Sequence, residues 1–526
     1  MNPKAIPQQL PFLIAILVAM SGVAESMAAD RPSVIVCMVD DMGFSDPGCF
    51  GGEIQTPNLD RLAAGGVRFA NFYNTSRCCP SRACILTGLY PQQTGMGYMT
   101  KDSGHPSYAG GLKKPCVTMA EVVKQAGYRT CLSGKWHLSP GPKELGFETT
   151  ETWFAQGATG FFFRLNENGS PSGKTDPTFY ATDYYADGVV DFIDRQQGDA
   201  AFFVYWTPTA PHYPIHAKEE DVKKYRKIYA SLSPADIARR RYERLVKMGL
   251  YDADHPWDVP EVVIAEPENW FVEYRLDTDP LGQAKGFRKR SWKSGRYDSY
   301  GNTSDLAEIM SMYAAMIDRF DQGLGRVLAK LEETGRLDNT LILFCSDNGC
   351  SAEGLNIGPQ LSNASTTPFL KTKKSAYNGG IGTPLIMHWP AKTSPSARGS
   401  INRSFGHLVD VMPTVLAATG AVYPKVDRKN RPIPAMEGRS LLGALQGKTV
   451  PLLRPIGIEH AGNVAVITEK WKITADGREP WRLFDLTTDR FERRDLAAEH
   501  PDVVKQLAAE WQSWADRVEA LRHGQP

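Results

Sequence analysis

The string Cys78-Cys79-Pro80-Ser81-Arg82-Ala83-Cys84-Ile85-Leu86-Thr87-Gly88 sets a thiol two residues before a proline and four before an arginine. Proline fixes φ and lacks an N–H, so Cys78 should sit on a bend that enters a helix. A helix N-terminus there aims amide donors and partial positive charge at an incoming anion. Arg82, one turn on, adds a planar charged fork suited to carboxylate, phosphate or sulfate oxygens. Only Cys78 has proline at +2 and arginine at +4, which fixes the register on it rather than on Cys79.

Two carboxylate clusters accompany the thiol. Asp40-Asp41 and Asp347-Asn348-Gly349 each follow an apolar, strand-like run. Adjacent carboxylates behind a buried strand repel unless a cation lies between them. Asp40, Asp41, Asp347 and Asn348 together offer hard oxygen ligands and no imidazole or thiolate, which suits Ca²⁺ or Mg²⁺ rather than zinc. Lys135 and His137, two apart, project to one side if their segment is extended. A lysine and an imidazole aimed at one pocket fit an anionic substrate and proton traffic. His212 is held between Pro211 and Pro214, and is preferred to His216, which lacks that framing. Taken singly, each residue has an ordinary alternative: a packed cysteine, a solvated turn, a pinned loop histidine.

The elements that must position these groups read as an α/β fold, with a mostly parallel central sheet flanked by helices. Strands are expected over 33–39, 128–132, 201–206 and 340–345, and helices over 56–66, 118–125 and 305–334. Most of the candidates lie at or just after strand ends, where open α/β sheets assemble their sites. Residues 219–250 are charged, helical in pattern, and read as a surface excursion. Past residue 420 the pattern changes. Residues 421–448 read as a connector, followed by short strands at 464–468, 471–474 and 481–486 and a helix over 501–521. The expected division is a signal peptide (1–29), a catalytic domain (30–420) and a smaller C-terminal α+β subdomain (421–526).

The chain has 526 residues, 42% hydrophobic and 23% charged, with a net charge of +1. That balance fits a soluble globular enzyme and gives no support for nucleic-acid binding. The basic segment 285–293 reads as a solvated loop, or as a subsite for a polyanion. Lys4 precedes an apolar run over 11–20 and small residues, with cleavage sites after Ala24, Ala28 or Ala29. This is the layout of a secretory signal peptide, too short for a comfortable span, so a periplasmic or extracellular protein without a stable membrane anchor is expected. Nine cysteines leave at least one outside intramolecular pairing. Sequons occur at Asn74, Asn168, Asn302, Asn363 and Asn402.

The Cys78 string resembles the sulfatase signature Cys-x-Pro-Ser-Arg-x-x-x-Leu-Thr-Gly, and residues 127–137 look like its companion, Gly-Tyr-x-Thr-x-x-x-Gly-Lys-x-His. Residues 371–384 are similar to Lys-Gly-x-x-x-Glu-Gly-Gly-Ile-Arg-x-Pro, with Asn378 in the Glu position and Gly382 in the Arg position. That alignment puts Lys373 on the substrate lysine, with Lys374 as a substitute. Residues 239–251 and Met312-Tyr313-Ala314-Ala315-Met316 look most like the bacterial arylsulfatase type. The resemblance implies an alkaline-phosphatase-like fold and conversion of Cys78 to formylglycine by a formylglycine-generating enzyme. It also implies a divalent cation, calcium before magnesium, on Asp40, Asp41, Asp347 and Asn348 and touching residue 78. A hydrated formylglycine would attack sulfur in a sulfate monoester of a small molecule or glycan. Arg82, Lys135 and Lys373 would stabilise charge, His212 would protonate the leaving oxygen, and His137 would assist regeneration of the aldehyde. Rival readings are a phosphate or phosphonate ester hydrolase on the same fold, a sulfatase specific for sulfated glycans, and a catalytically silent sulfoglycan-binding protein.

Overall fold

Ser33–Val39 (β1) is buried along its whole length. In the computed structural model, Ile35, Cys37 and Val39 enter one core and Val34, Val36 and Met38 the other. A strand that alternates its side chains between two apolar cores must lie inside a sheet covered on both faces. The structure describes residues 31–521 apart from 156–159, 167–168, 177, 199, 265–271, 277–286, 289–299, 304 and 354–355.

Seven more strands complete the sheet: Val67–Tyr73 (β2), Arg129–Lys135 (β3), Thr149–Phe154 (β4), Phe202–Thr207 (β5), Thr340–Ser346 (β6), Leu385–His388 (β7) and Ser400–His407 (β8). Their order is β8-β2-β7-β6-β1-β5-β3-β4. All neighbours run parallel except β7, which is antiparallel to β6 and β2.

The main helices are Pro57–Gly65 (α1), Cys78–Thr87 (α2), Met119–Gln125 (α3), Ala181–Asp194 (α4), Glu219–Tyr229 (α5), Pro234–Lys247 (α6), Leu306–Glu333 (α7), Val411–Thr419 (α8) and Pro501–Val518 (α9). Helices α1, α4 and α7 pack on one face, and α2, α3 and α8 on the other. Local chemistry sets several starts. Asp305 caps α7 by accepting from the amides of Ala307 and Glu308, and Thr118 and Glu121 form a reciprocal capping box on α3.

A second, antiparallel sheet follows: Ile456–His460 (β9), Asn463–Ile467 (β10), Trp471–Ala475 (β11) and Arg482–Asp485 (β12). Helix α9 packs on it, and the Trp511 indole donates to the Ile458 carbonyl at 3.0 Å.

Three expectations need correction. Strand β3 runs on to Lys135, and His137 follows in the left-handed region at φ 54 rather than in extended backbone. Residues 219–250 are not only a surface excursion, because Arg241 is fully buried between Asp46 and Glu53. Strand β9 lies in a stretch where none was expected. All nine cysteines are buried, and none is joined in a disulfide. Asn74, Asn363 and Asn402 are buried, so these sequons cannot carry a glycan in the folded chain. Residues 1–29 lie outside the described residues, as does 285–293 except for a two-residue strand, Phe287–Arg288. Among the described residues no helix is long and apolar enough to cross a membrane.

Candidate active site

The register of the sheet brings the carboxylates together. Strand β1 pairs with β6 so that Val39 lies opposite Ser346, and Asp40 and Asp347 are therefore the next residues on adjacent parallel strands. The Asp347 amide donates to the Val39 carbonyl at 3.1 Å, and the Asp41 amide donates to Asp347 Oδ1 at 3.2 Å. The Ser346 hydroxyl ties the two loops, accepting from the Met42 amide and donating to the Asn348 carbonyl. Asn348 Nδ2 donates to Asp41 Oδ1 at 2.6 Å. Gly349 permits the closest approach, since a Cβ there would lie 1.8 Å from the Gly379 carbonyl oxygen.

Cys78 opens α2 with Arg77 as N-cap, and every residue of the helix is buried. The Ser81 hydroxyl accepts from the Thr75 amide at 3.2 Å, tying the loop that precedes the cysteine to the helix. Arg82 reaches Asp347 at 3.1 Å and Asp40 at 3.6 Å, and donates to the Lys135 carbonyl at 2.8 Å. Lys135 pairs with Asp40, Lys373 pairs with Asp41, and His212 Nε2 lies 3.6 Å from Asp41 Oδ2. Gly134, at φ +109 with a virtual Cβ 2.1 Å from the Thr207 carbonyl, lets β3 turn Lys135 into this cluster. The structure thus brings Asp40, Asp41, Cys78, Arg82, Lys135, His137, His212, Asp347, Asn348 and Lys373 to one end of the sheet. It leaves His216 out, where its Nδ1 accepts from the Phe161 amide and its ring stacks on Phe162. Lys374 also turns away, toward Glu353.

The electrostatics follow from burial opposed by close charges. A hydrogen bond with Cys79 holds the Cys78 thiol well below its ordinary value, and Lys135, His137 and Lys373 act in the same direction against burial. Burial would raise the Asp40 carboxyl, but Lys135, His212 and Arg82 outweigh it and hold it low. Asp347 goes the other way, pushed up by burial and then by the charge of Asp40. Burial lowers both His137 and His212. His212 Nδ1 faces the Tyr213 carbonyl at 2.5 Å. A carbonyl only accepts, so the proton sits on Nδ1 and Nε2 is the nitrogen turned to the site.

The donor set fits a divalent cation. Asp40 Oδ1 and Asn348 Oδ1 are buried without a hydrogen-bond partner, and ligand atoms of Asp40, Asp41 and His212 lie within 4.8 Å of one another. Buried oxygens without donors, next to a carboxyl kept from ionising by burial and then by its neighbour, are what a hard cation relieves.

Several residues that hold the site were not singled out in the sequence. Asn356 Nδ2 donates to Asp41 Oδ2 at 3.3 Å. The Tyr313 hydroxyl lies 2.7 Å from Asp46 and 3.2 Å from the Asp41 carbonyl, and Arg241 anchors Asp46 at 2.6 Å. Asp41 itself stands at φ 64, a left-handed backbone that surrounding contacts must enforce. Tyr313 and Arg241 fall in the two stretches that resemble bacterial arylsulfatases, the one signal that pointed to them.

A family model described as sulfatase matches residues 32–421. The chain belongs to the sulfatase family. It is similar to an arylsulfatase of Klebsiella aerogenes, with 30% identity over 84% of this chain and 96% of that one. It is also similar to an N-acetylgalactosamine-6-O-sulfatase of Bacteroides thetaiotaomicron, with 24% identity over 96% of this sulfatase and 98% of the relative. Among solved structures, Ps i-CgsB in complex with k-i-k-neocarrahexaose shares the fold at a TM-score of 0.65, with 23% identity and coverage of 92% and 93%. A phosphonate monoester hydrolase of Agrobacterium radiobacter shares it at 0.58 with 19% identity, over 93% of this chain and 96% of that one. This sulfatase is a sulfuric ester hydrolase.

Proposed function

We propose that this sulfatase cleaves sulfate monoesters with a formylglycine made from Cys78, aided by a divalent cation. The observation that carries the reading is Cys78 at the first position of a buried helix, under the influence of Lys135, His137 and Lys373, with Arg82 linking that helix to Asp40 and Asp347. In the structure the Cys78 Sγ stands in for the oxygens of the hydrated aldehyde. The hydrate supplies one hydroxyl to attack sulfur and a second whose deprotonation releases the sulfate, which a serine or thiol lacks. A cation held by Asp40, Asp41, Asp347 and Asn348 would supply Lewis acidity toward oxyanions, and Ca²⁺ suits the all-oxygen donors.

The chain's own residues do the rest. Arg82, Lys135 and Lys373 are buried cations whose positions are fixed by carboxylates before substrate arrives, so charge on the transferring group meets prearranged donors. His212 presents Nε2 and, when protonated there as an imidazolium that Asp41 at 3.6 Å favours against burial, gives its proton to the leaving oxygen. His137, kept neutral by burial, accepts the proton from the second hydroxyl at residue 78.

The apolar run over 11–20 supports export to the periplasm or beyond, and a formylglycine-generating enzyme would be the maturation partner. The substrate is a sulfated small molecule or glycan, and what leaves sulfur is its alcohol or phenol oxygen. Rates on matched aryl sulfate and aryl phosphate esters test the reading: sulfate should be preferred by orders of magnitude, and a phosphate preference would assign the site to phosphoryl or phosphonyl chemistry instead.

A further inference from the structure

Beside the site lies a set of charges that hydrolysis does not use. Arg77, one residue before Cys78, pairs through Nη1 with Glu353 Oε2, and Lys374 pairs with the other oxygen of the same carboxylate. These side chains are 15%, 34% and 44% exposed for Arg77, Glu353 and Lys374, whereas the Lys373 side chain is 2% exposed on Asp41. One carboxylate is thus clamped between a mostly buried arginine and a solvent-facing lysine next to the reacting residue.

The lysine is held there against its own preference. Lys374 stands at φ 77, in a left-handed backbone that suits glycine. Its amide donates to the Ser76 carbonyl at 3.0 Å, and its carbonyl accepts from Asn463 Nδ2 at 2.9 Å. Tyr98, 43% exposed, stacks on the buried His460 of β9 at 5.4 Å and 22°. Arg77 Nε lies 3.4 Å from Met99 Sδ, which places the Tyr98 segment beside the cations. An open aromatic face next to paired cations is the layout that recognises a ring bearing an anionic group.

We propose that Arg77 and Lys374 form a second-anion subsite, filled in the free enzyme by Glu353, which selects sulfate esters whose leaving group is a sugar bearing a further sulfate or carboxylate. This rests on the sulfatase reading and narrows its substrate class. The incoming oxyanion displaces Glu353, an exchange of one partly exposed anionic partner for another.

The test is a calorimetric titration of full-length Cys78→Ala protein, so that binding is read without turnover. The probes are a singly sulfated hexosamine, the same hexosamine carrying two sulfates, and the singly sulfated hexosamine joined to a hexuronic acid. At least one doubly anionic probe should bind about fivefold more tightly than the singly sulfated one, and which one does so tells sulfate from carboxylate. Adding Lys374→Gly, which suits φ 77 and should leave the melting temperature equal or higher, should erase the difference. Adding Glu353→Gln should widen it. Equal affinities in the parent, no binding of any probe, or a preference untouched by both variants would overturn the subsite. Turnover of a simple aryl sulfate by aldehyde-bearing wild type reports separately on the sulfatase reading.

Discussion

Asp40 and Asp347, far apart in sequence, leave neighbouring parallel strands at the same level and share one guanidinium, that of Arg82. Both carboxylates are fully buried, and Asp40 keeps Asp347 from ionising readily. A group that binds only the folded state stabilises it by mass action. Saturating Ca²⁺ should therefore raise the melting temperature of wild type, by the equivalent of about 2.7 kcal/mol at a hundredfold excess over Kd. In Asp347→Ala the calcium-dependent rise should vanish, along with activity; an undiminished rise would remove Asp347 from the cation site.

Lys373 and Lys374 are adjacent in sequence but divide between two environments, one on Asp41 and one on Glu353. Lys373→Ala should lower kcat by about 10²–10³, the scale for losing one prearranged donor to a developing charge. Single-turnover kinetics on an aryl sulfate check this, and a change confined to KM would make Lys373 a binding residue only.

Arg241 carries no chemistry, yet it holds Asp46 and Glu53, and through Asp46 and Tyr313 the backbone of Asp41. Arg241→Met leaves the buried Asp46 without its cation, while Glu53 keeps only Arg244 at 3.9 Å, and should cost about 3–5 kcal/mol. Urea denaturation monitored by tryptophan fluorescence reads this directly.

Acid should weaken the fold through its buried histidines, an effect that Asp321, pushed up to about 6 by burial, offsets only in part. Burial lowers His388 to about 4 and His407 to about 3, against an unfolded value of about 6.5. Between those values the unfolded chain binds more protons, so stability is fully present above about pH 6.5 and falls as pH drops toward 4. Urea midpoints measured from pH 8 to 4.5 should decline below 6.5, and His388→Asn should soften the decline. A flat profile to pH 5 would contradict it.

The legible parts of this site were those whose reasons are local. Strand β1 announces itself as seven consecutive apolar or small residues, and the bend at Cys78 follows from Pro80. Asp40, Asp41, Asp347 and Asn348 could be placed because parallel sheets gather residues beyond strand ends. Lys135 lies against Asp40 and His137 beside Cys78, but the turn that brings them there was not legible, since positive φ at Gly134 and His137 cannot be read from alternation. Arg241 and Asn356 stayed hidden because their partners lie 195 and 315 residues away, and a charged residue in an amphipathic helix looks the same whether its far end is solvated or buried. Strand direction sets a similar limit: β7, inside the sheet between β2 and β6, runs against both, a choice made by the connection around it and not by its four residues.

The central claim is that residue 78 acts as an aldehyde. Peptide mass spectrometry of protein matured with a formylglycine-generating enzyme, paired with aryl sulfate turnover of the same preparation, tests it most directly. The expected result is a residue 78 peptide lighter by the difference between thiol and aldehyde, activity proportional to the converted fraction, and none in Cys78→Ala. Full activity from protein whose Cys78 is an intact thiol would contradict it.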